Sequence, residues 1–185
     1  MKVLINLLLP LVITACAGVP NLSLEQKKSI PSTVEKPFQQ GLARMRAKEY
    51  RAAERLFKRV VSVDKTLPGA YLNLAIVQTH LGKDSAAMVA VETLLALDEK
   101  HVAGLNQQGL LLRRRGDFEA AKLVYEKALE IEPKYVLARL NLGVLCDLYL
   151  NQPVCALQAY RQFQQQNGIE DKQVAGWIVE LERRK

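Results

Sequence analysis

From residue 34 onward the chain keeps a 34-residue rhythm of small and bulky side chains. Gly41, Gly109 and Gly143 form one series, with Ala75 filling the gap. Ala53, Ala87 and Ala121 form a second, and Phe57, Val91 and Tyr125 a third. Self-similarity at this period marks supersecondary units that stack, because one unit cannot bury its apolar face alone. Composition selects helices for those units: the chain is 49% hydrophobic but only 6% aromatic, and Ala and Leu outweigh the β-branched alternation a sheet needs. Small residues such as Gly109 and Ala121 let two antiparallel helices approach closely. Gly82 and Gly116 stand where the first helix of a pair must stop. Phe57, Tyr125 and Tyr160 are expected to fill the space toward the next hairpin.

The fullest copy reads Leu105-x2-Gln108-Gly109-x2-Leu112, then Gly116-Asp117-Phe118, Ala121-x3-Tyr125, Ala128 and Pro133. This pattern resembles the tetratricopeptide repeat family. The resemblance implies an all-α fold, a right-handed α–α superhelix of four helical hairpins over 34–67, 68–101, 102–135 and 136–170, starting at Val34, Pro68, Val102 and Val136. Lys65 and Glu99 stand where the family often has Pro. The fourth copy carries one extra residue around Asn151-Gln152-Pro153, so its second helix is expected near Val154, with the series resuming at Ala156, Tyr160 and Phe163. Residues 171–185 read as a capping helix, Asp171 to Arg184, with Val174, Trp177, Ile178 and Leu181 on one face.

Ahead of the repeats, Met1-Lys2, a short apolar run from Val3 to Ile13, and Thr14-Ala15-Cys16 form an export signal, residues 1–15, to be removed. The apolar run falls short of the roughly 20 residues a spanning helix needs. Ile13-Thr14-Ala15-Cys16 resembles the bacterial lipobox, which implies that Cys16 becomes the first mature residue and is acylated, anchoring the protein to a membrane. Ala17, rather than Asp, implies by the same resemblance the outer membrane of a diderm host, facing the periplasm. Residues 16–33 are then the lipidated Cys and a tether, up to ~60 Å extended and roughly 20–25 Å as a coil.

The remaining cysteines, Cys146 late in one helix and Cys155 early in the next, face each other across a hairpin turn. In an oxidising compartment a disulfide is expected, worth roughly 2–3 kcal/mol for so short a loop; two buried free thiols are the alternative. Two cysteines are too few for a structural zinc site. His80 and His101 are the only histidines, and no phosphate loop, nucleophile elbow or paired metal-ligand motif is present. The expectation is a protein without catalytic activity, metal or cofactor. Formal charge is +7, yet the cations are interleaved with Glu and no Lys/Arg run exceeds Arg113–Arg115, so nucleic acid is not expected as a partner.

In the family, first helices line the concave face, and certain of their positions contact partners. Carried onto this register, the ninth position gives Leu42, Ile76, Leu110 and Val144, an apolar strip. The sixth gives Gln39, Asn73, Gln107 and Asn141, amides able to serve an extended backbone. The thirteenth gives Arg46, His80 and Arg114, then Leu148, with Arg113 alongside, a stripe fit for an acidic segment. Part of each series is equally readable as core or as solvated surface. The resemblance implies a scaffold for protein or peptide partners in an envelope machine such as a type IV or Flp pilus or a secretion system. Recruitment of peptidoglycan enzymes and binding of an anionic polysaccharide in export are the alternatives.

Overall fold

The structure, a computed structural model, describes residues 31–168 and 171–184. The expected export signal, Cys16 and most of the expected tether lie outside them. The described residues form helices α1 (Ser32–Arg46), α2 (Tyr50–Val63), α3 (Pro68–His80), α4 (Asp84–Leu97), α5 (Val102–Arg115), α6 (Phe118–Ile131), α7 (Val136–Leu148), α8 (Pro153–Asn167) and α9 (Lys172–Arg183). No strand occurs among them. The pairs α1–α2, α3–α4, α5–α6 and α7–α8 are antiparallel hairpins, each second helix packs on the next first helix, and α9 closes the stack on α8.

Curvature follows from which helices touch. Successive first helices approach one another (α1 with α3, α3 with α5, α5 with α7), whereas among the described residues no two of α2, α4, α6 and α8 do. The first-helix layer is therefore the inner, concave one, and the second helices splay around the outside.

Inside each hairpin a bulky ring sits over a missing side chain. A Cβ added at Gly41 would stand 2.8 Å from the Phe57 ring, and one at Gly109 or Gly143 would stand 2.5 Å from Tyr125 or Tyr160. In the second hairpin the same two places hold Ala75 and Val91, both fully buried. The bulky series thus seats first against the small residue of its own hairpin, rather than only filling the gap to the next one. Two clusters, one over the first two hairpins and one over the last two plus α9, are bridged by Met88 and Leu95, which pack on both.

The turns between paired helices share one device. Lys48 (φ 58°), Gly82 (φ 71°), Gly116 (φ 94°) and Asn151 (φ 49°) all adopt left-handed backbone. Gly accepts that conformation freely and Asn tolerates it; Lys does not. The extra residue of the fourth copy is absorbed just ahead of Asn151, and Cys146 is disulfide-bonded to Cys155 across that turn, with Cα atoms 5.9 Å apart.

Helix ends differ slightly from the sequence reading. α1 starts at Ser32, two residues earlier, because Pro31 presets its entry and its carbonyl accepts from the Val34 and Glu35 amides, each at 3.0 Å. α8 starts at Pro153, where a missing N–H costs nothing at a first helical position. Asp171 lies just outside α9 as its N-cap, accepting from the Gln173 and Val174 amides.

Candidate concave binding surface

The inner faces of α1, α3, α5 and α7 carry the three series anticipated from the register. Leu42, Ile76, Leu110 and Val144 are all half-buried, one per hairpin, on the concave layer. Leu42 and Val144 lean on the cores beneath them. Such a strip keeps part of each side chain open while the rest anchors it.

The amides are more committed than expected. Gln39 donates to the Glu35 carboxylate at 2.9 Å, and Asn73 donates to the Gly69 carbonyl at 2.6 Å, both along their own helix. Asn141 donates to Asn106 Oδ1 at 2.9 Å, tying α7 to α5. Gln107 is a correction. It is 6% exposed and donates to Thr79 Oγ1 at 2.8 Å, so it joins α5 to α3 instead of facing a ligand. A buried amide keeps such a partner because losing it would leave the donor unsatisfied.

The basic stripe is likewise engaged within the molecule. The exposed Arg46 turns its Nε toward the Leu42 carbonyl at 3.4 Å. His80 stacks on Tyr50, rings 4.3 Å apart and 3° from parallel. Arg114 Nε is 2.7 Å from Asp84 Oδ2. Arg113 places its guanidinium 5.7 Å from the centre of the Tyr149 ring, which in turn meets Phe118 at 4.9 Å. The extra residue of the fourth copy lets Tyr149 make this contact, while Leu148 stays 69% exposed.

Those contacts expose a series missed in the sequence. Tyr50, Asp84 and Phe118, again 34 apart, open the second helices, and each latches onto the end of the following first helix: Tyr50 to His80, Asp84 to Arg114, Phe118 to Tyr149. The chemistry changes from stacking to ion pair and back while the place stays fixed. The available signal was the matched pairing of Asp84 with Arg114 at 30 residues.

Electrostatics beneath the surface are structural. Burial pushes Tyr125 up to about 12, with Arg113 pulling weakly the other way. Burial also raises Tyr160, helped by Asp147, whose Oδ2 accepts from the Tyr160 hydroxyl at 3.4 Å. Burial alone would raise the Glu54 carboxyl. Lys83 at 2.6 Å and Lys58 at 3.0 Å outweigh it and hold the group below its usual range. Among the described residues no three His, Cys, Asp or Glu side chains converge on a possible ion, and no helix is long and apolar enough to cross a membrane.

Comparison with known proteins agrees with this architecture. Sequence models described as tetratricopeptide repeat match residues 38–100, and as TPR repeat residues 109–146. The human protein O-mannosyl-transferase TMTC3 is 28% identical over 144 residues, 74% of this chain, but the chain spans only 15% of that relative's length. The solved structure of Pseudomonas aeruginosa PilF superposes with a TM-score of 0.74 at 20% identity, covering 82% of this chain and 68% of that one. The first TPR domain of Spaghetti (RPAP3), solved with an HSP90 peptide, superposes with a TM-score of 0.60 at 21% identity, over 64% of this chain and 94% of that one. Likenesses at these identities establish the fold.

Proposed function

This chain belongs to the tetratricopeptide repeat family, and on that premise we propose that it is a lipid-anchored scaffold holding a protein segment along its concave layer. The observation that carries the reading is the half-buried strip Leu42, Ile76, Leu110 and Val144, repeated once per hairpin on the curved inner face. An extended segment crossing the hairpins meets one apolar foothold at each, and the footholds are held in place by helices already ordered before binding. The RPAP3 domain, of the same fold, holds a short peptide, which supports a peptide as the occupant here.

The lipobox-like Ile13-Thr14-Ala15-Cys16 supports acylation at Cys16 and a site at the periplasmic face of the outer membrane. Placement in pilus or secretion assembly is suggested by the anchor motif joined to a repeat body; the likeness to PilF is one of fold. The anionic-polysaccharide alternative keeps less of the stripe that motivated it, since His80, Arg113 and Arg114 have partners in the stack while Arg46 stays exposed.

The test is direct. Native envelopes solubilised in non-ionic detergent should yield a specific partner with the wild-type chain and lose it with Ile76→Glu plus Leu110→Glu, while the helical spectrum is kept. Partner recovery that ignores both substitutions would remove the concave strip as the site.

A further inference from the structure

The chain's positive charge is confined to one end of the stack. Residues 34–67 hold nine Lys/Arg against four Asp/Glu, +5 of the chain's +7, whereas residues 68–168 balance ten against ten. All nine of those cations are exposed. Five of them line two adjoining depressions on the outer side of α1 and α2: Arg44, Arg55 and Arg59 in one, Lys48, Arg51 and Arg55 in the other, with Glu49 and Ala52 shared. Arg51, Arg55 and Arg59 follow one another at four-residue steps along one face of α2. Among the described residues these three carry no ion pair; Glu49, the one acid there, is taken by Arg44 at 2.5 Å.

The repeat itself shows what this face is. The 34-residue equivalents of Ala43 and Arg44 are Leu111 and Leu112 in the third hairpin, and Leu145 and Cys146 in the fourth. Those residues are buried. In the first hairpin the α1 part of this face, Ala43 and Arg44, is therefore the open end of the solenoid, which must be polar to stay in water. Arg51, Arg55 and Arg59 stand at outer places whose equivalents, such as Val89 and Leu123, stay exposed in later hairpins. Capping accounts for polarity but not for sign. The other end is capped by α9, whose Lys172, Glu180, Glu182 and Arg183 balance. A face with five cations and one acid, already paired with Arg44, calls for a negatively charged counterpart.

We infer that the outer face of the first hairpin docks on a bilayer bearing anionic headgroups, leaving the concave layer free for its protein partner. The cations spread over two helices and a turn, which suits a plane of charges better than one acidic strand. This end also continues directly into the segment holding Cys16, sixteen residues before Ser32. The inference therefore leans on the lipid-anchor reading, which would bring this end of the stack to the membrane first. A basic face beside an acyl anchor fixes how the body sits on the surface, a role the anchor alone leaves open.

The experiment uses the full chain purified from membranes and placed in nanodiscs of phosphatidylcholine alone or with about 30% phosphatidylglycerol. Amide hydrogen exchange is read by mass spectrometry. Exchange across α2 should slow by about three-fold or more in the anionic discs, return to the neutral-disc rate in roughly 0.5 M salt, and show no lipid dependence in α5 to α8. Arg51→Glu with Arg55→Glu and Arg59→Glu should erase the slowing without lowering the melting temperature. Equal exchange in both discs overturns the inference. So does equal slowing of α2 by an oligo-glutamate peptide in neutral discs, which would assign the face to an acidic polypeptide. The mass of the N-terminal peptide reads acylation of Cys16 independently. If that chain is unacylated, the anchor reading fails, and flotation with anionic vesicles at low salt then decides docking: floating supports it, and remaining at the bottom overturns it.

Discussion

At the residue scale, the most informative pair is a glycine and the ring above it. Gly109→Ala places a methyl where Tyr125 already stands, an overpacking expected to cost about 1–3 kcal/mol. The second hairpin carries the alternative solution, Ala75 with Val91. Gly109→Ala combined with Tyr125→Val should therefore cost less than the two single changes added together, by about 1 kcal/mol or more. Urea unfolding of the four proteins measures that coupling; strict additivity would mean the ring and the glycine are not partners. Lys48 offers the opposite case. Its left-handed backbone (φ 58°) is strained for a side chain, so Lys48→Gly should stabilise by about 1 kcal/mol, read as a raised urea midpoint. Both series were legible in the sequence as spacing. Their physical meaning was only partly so, because spacing does not say which of two neighbours a ring covers.

Between elements, stability rests on ties from one hairpin to the next, and most of these were not legible. Glu54 illustrates why. It sits mid-helix with an ordinary surface composition around it, yet it is 6% exposed and held by Lys58 of its own helix and Lys83 of the next hairpin. Its folded carboxyl titrates below the ordinary 4.5, so the stabilisation it gives is complete above that value and is lost as pH falls through the folded one. Glu54→Gln should cost about 1–3 kcal/mol near neutrality, and the difference from wild type should shrink in urea unfolding below pH 4.5. A gap that stays constant with pH would contradict the assignment. Gln107 was misjudged for the same reason: its register position marks it as a groove residue, but only the approach of α3 with Thr79 reveals that its amide is already used. The Cys146–Cys155 bond ties the one irregular turn. Its reduction should lower stability by roughly 2–3 kcal/mol, with hydrogen exchange accelerating first in α7 and α8.

For the whole molecule, the 34-residue rhythm specifies a stack of hairpins, and the stack specifies a curved inner layer. The number of hairpins, the closing helix and the apolar strip could all be read from spacing, since each depends on local periodicity. The distribution of charge along the solenoid could not be interpreted that way, because its meaning depends on which face remains open once neighbours have packed. The central claim is that the inner layer, not the outer one, receives the partner. Photo-crosslinking tests it most directly, with a crosslinking amino acid placed in turn at Ile76 and Leu110 on the concave layer and at Val89 and Leu123, which are 62% and 67% exposed on the second helices. The account predicts one shared adduct from Ile76 and Leu110 and none of that mass from Val89 or Leu123. An adduct formed from the outer pair and absent from the inner pair would contradict it.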